Sequence, residues 1–213
     1  MGNLIDLTVK EFVKEVDSDS PAPGGGSVSS VAAAVGCALA RMVGHLTFGK
    51  KKYEALDEKD KDLFSESFSK LKAHQDSLEF LVDEDTRSFG IFMKALKLPK
   101  DSEEEKQFRL EQMEEATKEI IKVPYEIATE SLKALKLLTS IIEFGNKNAI
   151  TDVGVAALLL SAGIEGAILN VKINLPGLSD VDLVSYYKSK CLEISKESTE
   201  FLNVYQEKVN SYL

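Results

Sequence analysis

The chain has no tryptophan, only five prolines and two cysteines, and too little positive charge to balance its acids, and each scarcity closes off a class of protein. With 26 Lys and Arg against 35 Asp and Glu, the formal net charge of -9 lacks the basic surplus that phosphate neutralisation requires, so a nucleic-acid partner is excluded. Cys37 and Cys191 stand far apart, with no CxxC spacing and no histidine pair beside them. A zinc site is therefore not expected, and both are read as reduced core thiols. The sparse Pro and Gly, with Ala, Leu, Lys, Glu and Ser abundant, fit long helices better than a sheet. No strand-like alternation and no solenoid period competes with that reading. The start MGNLIDLTVKEF has no basic-then-apolar pattern, which sets the expectation of a cytoplasmic protein without a secretory leader.

One run raises a bilayer. Val153 to Val171 approaches the ~20 apolar residues of a spanning helix. Glu165 lies inside it, three glycines interrupt it and no aromatic belt flanks it, so the expectation is a helix buried on all sides of a bundle, with no membrane partner.

The 213 residues suffice for one domain, 1–213, and read as an all-α, antiparallel up-and-down bundle. Thr8 with Glu11 is a capping box, stapled by Leu7 and Phe12, that predicts a short lid or brace helix to about Val16. Asp17 to Gly26 reads as a loop, after which Ser27 is expected to cap a helix from Val28 to about Leu46. Phe64, Phe68, Leu71, Leu78, Val82, Phe89, Phe92 and Leu96 mark a long helix from about Glu58 to Leu96. The next runs from about Asp101 or Ser102 to Phe144, with a kink or break at Pro124. An apolar helix over Thr151–Asn174 and a last one from Asp180 complete the set. The small-residue helices, the second and the apolar one, are expected to cross at the centre.

Chemistry-bearing residues are few. PAPGGGS, Pro21 to Ser27, joins a rigid entry to three glycines and a helix start, a cradle of free N–H groups or else a plain connection. It is neither a phosphate loop nor a dinucleotide fingerprint. Asp85 continues the apolar stripe from Val82 to Phe89, so it faces inward, either as a group with a raised pKa or as half of a buried ion pair with Arg41, Arg87 or a lysine. Asp83 and Glu84 fall off the stripe, and for Glu84 a solvated face is the plainer reading. Lys50, Lys51 and Lys52 form a basic cluster that holds a ligand carboxylate or decorates a loop. Asp152 suits a helix first turn as an ordinary cap. Asn170 and Asn174, i and i+4 on an apolar helix, need partners, either main chain or a ligand edge. His45 reads as a core residue and His74 as a surface one.

Four stretches together resemble one family: PAPGGGSVSSVAAAVGCALARMV (21–43), LTFGKKKYE (46–54), DEDTRSFGIFMKALKLPK (83–100) and NKNAITDVGVAALLLSAGIEGAILNVKIN (146–174). They are similar to the cyclodeaminase domain of formiminotransferase-cyclodeaminase and to its relatives, the methenyltetrahydrofolate cyclohydrolases. The resemblance implies a helical bundle, a homodimer, a reduced folate as substrate with or without a polyglutamate tail, and no metal or other cofactor. It implies closure of 5-formiminotetrahydrofolate to 5,10-methenyltetrahydrofolate with loss of ammonia. Asp85 is then the acid and base, with Asp83 as substitute or helper, unless Asp85 or Asp152 instead binds the pterin. Pro23, Gly24, Gly25, Gly26 and Ser27 would pack main chain against the pterin, Asn170 and Asn174 would contact it, and Lys50–Lys52 would meet the glutamate carboxylates. The alternatives are a methenyltetrahydrofolate cyclohydrolase and, in a different class, a non-catalytic helical interaction protein.

Overall fold

The computed structural model describes residues 3–213, which form seven α-helices and no strand among the described residues: α1 (Val9–Val16), α2 (Gly25–His45), α3 (Lys51–Glu54), α4 (Glu58–Leu96), α5 (Glu103–Phe144), α6 (Ile150–Asn174) and α7 (Val181–Asn210). Most starts are set by local chemistry. Thr8 and Glu11 close the capping box of α1, Ser102 and Glu105 that of α5, and Asp57 and Asp180 accept first-turn N–H groups of α4 and α7. Gly49, at φ +72°, makes the turn from α2 into α3, a left-handed angle that favours glycine.

α2 and α6 run antiparallel at the centre, as the small residues predict. A Cβ on Gly36 would meet Ala156 O and Leu160 Cγ at 3.0 Å, and one on Gly163 would meet Ser29 O and Ala33 Cβ at 2.8 Å. The contact is closest where only hydrogen fits, which lets the two axes approach. α4 and α5 pack as a long hairpin against this pair, and α7 closes the far side of α5 and α6. Phe64, Leu71, Leu78, Ile121, Ile127, Leu135, Leu138, Leu160 and Ile164 fill the core. Cys37 and Cys191 are both free and buried, and burial pushes the Cys37 thiol to about 12.

Three expectations change. Of the kink or break expected at Pro124, the break does not occur, since α5 runs through it as one helix. α2 begins at Gly25 with Gly24 as its N-cap, so Ser27 lies inside the first turn and does not cap. α6, although long and apolar enough by composition to cross a bilayer, is not buried on all sides: half of its apolar window is covered, and Leu158, Leu169 and Ile173 are 47, 66 and 75% exposed.

At one end the hairpin outreaches the rest. Beyond Ser88, α4 buries only Ala95, and α5 buries nothing before Ala116. The candidate site lies at the base of this overhang.

Candidate functional site

A cleft of about 290 Å³ opens where the start of α2, the middle of α4, the first half of α5 and the end of α6 meet. Pro21, Ala22, Gly24, Gly25 and Gly26 form one wall, Asp85, Ser88 and Phe89 a second, and Ile120, Asn170, Ile173 and Asn174 the rest. Four sequence segments, spread between residues 21 and 174, thus converge on one space.

Asp85 is its centre. Its Oδ2 accepts the Ser27 N–H at 2.8 Å and the Ser27 hydroxyl at 2.9 Å. The first N–H groups of a helix have no intrahelical acceptor, and here a carboxylate from α4, 58 residues away in sequence, takes the place of a local cap. The Ser27 hydroxyl also lies 2.9 Å from Val82 O, so its one proton is shared between the two acceptors, and it is 3.1 Å from Thr86 Oγ1, from which it can accept. No cation pairs with Asp85 among the described residues. Arg87 grips Glu84 and Arg41 donates to Phe68 O, so the ion-pair alternative does not occur. Burial pushes the Asp85 carboxyl above its ordinary value, against the two Ser27 hydrogen bonds that pull it down.

The glycines are there for space as well as for N–H groups. A Cβ on Gly26 would lie 2.1 Å from Asp85 Oδ1, and one on Gly25 2.9 Å from Asn170 Nδ2. Pro23 is buried behind the wall. Asn170 Nδ2 donates to Gly166 O and Asn174 Nδ2 to Asn170 O, both at 2.8 Å, so the amide nitrogens are held by their own helix. No donor reaches either Oδ1 among the described residues, and these acceptors remain for a ligand.

Other expected members stand elsewhere. Asp83, two residues before Asp85, is turned roughly 200° around the helix. Its oxygens accept the N–H groups of Leu4 at 2.6 Å and Ile5 at 3.5 Å, and it does not line the cleft. Lys50, Lys51 and Lys52 lie beyond the opposite end of α2, ~30 Å from Gly25 at 1.5 Å per residue. There, with Tyr53, Lys147 and Asn148, they line a separate pocket of about 460 Å³. Lys51 and Lys52 sit in α3 and not in a loop. Asp152 is at that end too, in the first turn of α6, with no hydrogen bond or ion pair among the described residues and no capping role. Within one chain these four residues and Asp85 cannot share a small ligand.

The histidines also differ from expectation. His45 is exposed, edge-on to Phe68 at 4.9 Å, while His74 is half-buried with Nδ1 2.7 Å from Glu130 Oε2. Sequence reasoning missed Ser88, Ile120 and Ile173 in the cleft. A signal for Ile120 existed: Pro124, four residues on, has no N–H to donate to its carbonyl. Among the described residues no three His, Cys, Asp or Glu side chains converge on a point.

Comparison with known proteins fits this arrangement. A family model described as formiminotransferase-cyclodeaminase matches residues 8–193. The formimidoyltransferase-cyclodeaminase of Rattus norvegicus is 36% identical over 178 residues, 84% of this chain but 32% of that protein, so the chain spans about a third of such relatives. The methenyltetrahydrofolate cyclohydrolase of Methylorubrum extorquens is 35% identical over 173 residues, 81% of each chain. The crystal structure of formiminotetrahydrofolate cyclodeaminase from Thermotoga maritima superposes with a TM-score of 0.65 at 32% identity, covering 98% of this chain and 96% of that one. With its helical fold, its matched span and these relatives in agreement, the chain belongs to the formiminotransferase-cyclodeaminase family, as a cyclodeaminase domain.

Proposed function

We propose that the cleft converts 5-formiminotetrahydrofolate to 5,10-methenyltetrahydrofolate and ammonia. The observation that carries this reading is Asp85: a half-buried carboxylate without a cation partner, fixed by two Ser27 donors and raised in pKa by burial. In the reaction the side-chain nitrogen of the folate attacks the formimino carbon and forms a carbon–nitrogen bond. That nitrogen then loses a proton, the amino group gains one, and the carbon–amine bond breaks to release ammonia. A carboxyl whose pKa lies above the usual range can accept the first proton and return it to the leaving group. The glycine wall admits the flat pterin against main chain, and the Asn170 and Asn174 oxygens accept from its amino and ring N–H groups. Absorbance of the methenyl chromophore, with ammonia release, tests the reading on the purified protein.

A second reading is favoured by a specific observation, the Methylorubrum relative that matches 81% of both chains. A cyclohydrolase places water where the cyclodeaminase places ammonia, and it hydrolyses methenyltetrahydrofolate without turning over the formimino substrate. Turnover of neither substrate, with no folate bound, would support the third possibility, a helical interaction protein.

The reading includes a homodimer. The outer faces of α2 and α6 lie side by side, and Val28, Val35, Met42, Val155, Leu158 and Leu169 are all exposed on them. Glu165 falls on the same stripe of α6 with its Oε1 buried and without a partner among the described residues. Two helices ~30 Å long and ~10 Å wide present roughly 600 Å², close to the ~800 Å² per partner of a standard interface. A second copy packed antiparallel across this face carries its own basic end to the Asp85 end of the first, which is how Lys50–Lys52 would come within reach of a glutamate tail.

A further inference from the structure

We infer that Asp83 is a positioning residue that anchors an N-terminal strap, so that α1 covers the Asp85 cleft when ligand is bound. The inference rests on the folate reading above.

The strap is tied at one end to α4 beside the cleft and at the other to the cleft wall. Before α1, Leu4 and Ile5 donate their N–H groups to Asp83, which shares the α4 turn of Asp85. After α1, the chain becomes Pro21, Ala22 and Gly24, which line the cleft wall. The helix between is short, ~12 Å for eight residues, so it stays within reach of these two anchors. It is also stiff, because the Thr8–Glu11 capping box satisfies its first turn from both sides.

What α1 presents is unused. Val9, Phe12, Val13 and Val16 follow i, i+3, i+4, i+7 spacing and form one apolar face, with Lys10, Glu11, Lys14 and Glu15 on the other. α1 nonetheless buries no residue, and Val9 and Val13 are 83 and 59% exposed. The cleft rim offers a matching surface in Ile173 and Phe89. Closure of that face over a bound pterin would remove water from around Asp85. Water matters here, since its addition to the methenyl carbon with cleavage of one carbon–nitrogen bond turns the product into a formyl folate and releases a proton.

Hydrogen exchange of residues 9–16, with and without the stable analogue 5-formyltetrahydrofolate, tests this, together with kinetics of Asp83→Ala, Asp83→Asn and Val13→Asp. In the unaltered protein the analogue should slow exchange in 9–16 by about tenfold or more. Asp83→Ala should abolish that protection, raise KM about tenfold as one charge-assisted contact is lost, and increase the share of formyl product with kcat nearly unchanged. Asp83→Asn, which still accepts a main-chain N–H, should restore most of the affinity. Val13→Asp, at a position 59% exposed, should keep the helix content and reproduce the rise in KM and formyl product. Three outcomes overturn the inference: bound analogue with no protection of 9–16, protection already complete without ligand, as when a second copy covers α1, or Asp83→Asn losing kcat as fully as Asp83→Ala. Failure to bind the analogue at all is a different result, which sinks the folate reading and the strap with it.

Discussion

Asn174 Nδ2 lies 3.4 Å from Ile120 O, the carbonyl that Pro124 leaves without a helical donor. A proline inside a helix deletes one hydrogen bond of the ladder, and here a side chain from α6 supplies the missing donor at the wall of the cleft. α5 therefore stays continuous, and the gap in its ladder is used to fix an amide that lines the cleft. Asn174→Ala should leave that carbonyl unpaired at a cost of about 1 kcal/mol, which in a chain of this size lowers Tm by about 2–4 °C. Affinity for 5-formyltetrahydrofolate should fall about tenfold in the same variant. Thermal melts and titration check both, and an unchanged Tm with unchanged affinity would remove Asn174 from the site.

Asp85→Asn should abolish turnover and yet stabilise the fold at neutral pH. The folded-state pKa of Asp85 is raised above its ordinary 3.8, so folding favours the protonated form. Its stability contribution is full below that value and is lost as pH rises through the raised pKa. Asparagine keeps an oxygen acceptor for Ser27 without a desolvated charge. A gain of ~1 kcal/mol corresponds to a rise in Tm of about 2–4 °C, measured by circular dichroism at pH 7. Wild-type turnover in this variant would end the acid and base assignment.

Gly26→Ala asks whether Asp85 needs its present position. The added methyl would stand 2.1 Å from Oδ1, so the carboxylate must leave Ser27 or α2 must shift. The expected result is a loss of activity comparable to Asp85→Asn, with a destabilisation of about 1–3 kcal/mol, the usual range for overpacking. Full activity would mean that the carboxylate is free to move.

Acid stability should depend on Glu130. The hydrogen bond from His74, reinforced by Lys133, lowers its pKa from 4.5 to about 2. A depressed carboxylate stabilises the fold above its unfolded value, and that contribution is lost as pH falls from 4.5 towards about 2. Glu130→Gln should flatten the stability profile in that window and leave the region above pH 6 nearly parallel to the wild type. Denaturant titrations at several pH values report the difference.

A dimer across α2 and α6 predicts that Val35→Glu with Leu158→Glu yields a monomer by sedimentation, with helix content kept. Turnover of a polyglutamate substrate should fall in that monomer, and Lys50–Lys52 replaced by alanine should raise KM for the polyglutamate far more than for the monoglutamate. A dimer that survives both charges would place the interface elsewhere.

The helix boundaries were legible because their causes are local. Thr8 with Glu11, Ser102 with Glu105, and the stripe from Phe64 to Leu96 each act within a few residues, and the structure follows them. Asp85 was legible for a related reason, since an acid on an apolar stripe must be explained. Ser27 was misread as a cap because the group that satisfies its N–H comes from 58 residues away. That Lys50–Lys52 lie at the far end of α2 from Asp85 could not be read from the sequence, because the order of motifs along a chain says nothing about which end of a bundle each occupies. Asp83 looked like a helper to Asp85, whereas two residues along a helix point to different sides.

The Ser27–Asp85 link has one more implication. Two long rods, α2 and α4, are tied together at several points, and the tie at the cleft is made on one oxygen of the group that the proposed reaction would titrate. With a proton on Oδ1, Oδ2 still accepts from Ser27 and the first turn of α2 stays pinned. A proton on Oδ2 would weaken the bond from the Ser27 N–H and leave Ser27 Oγ on Val82 O and Ser30 Oγ on Leu78 O to hold that turn, which carries the glycine wall. On the proposed chemistry, where the proton resides during a cycle would therefore set how firmly the mouth of the cleft is held.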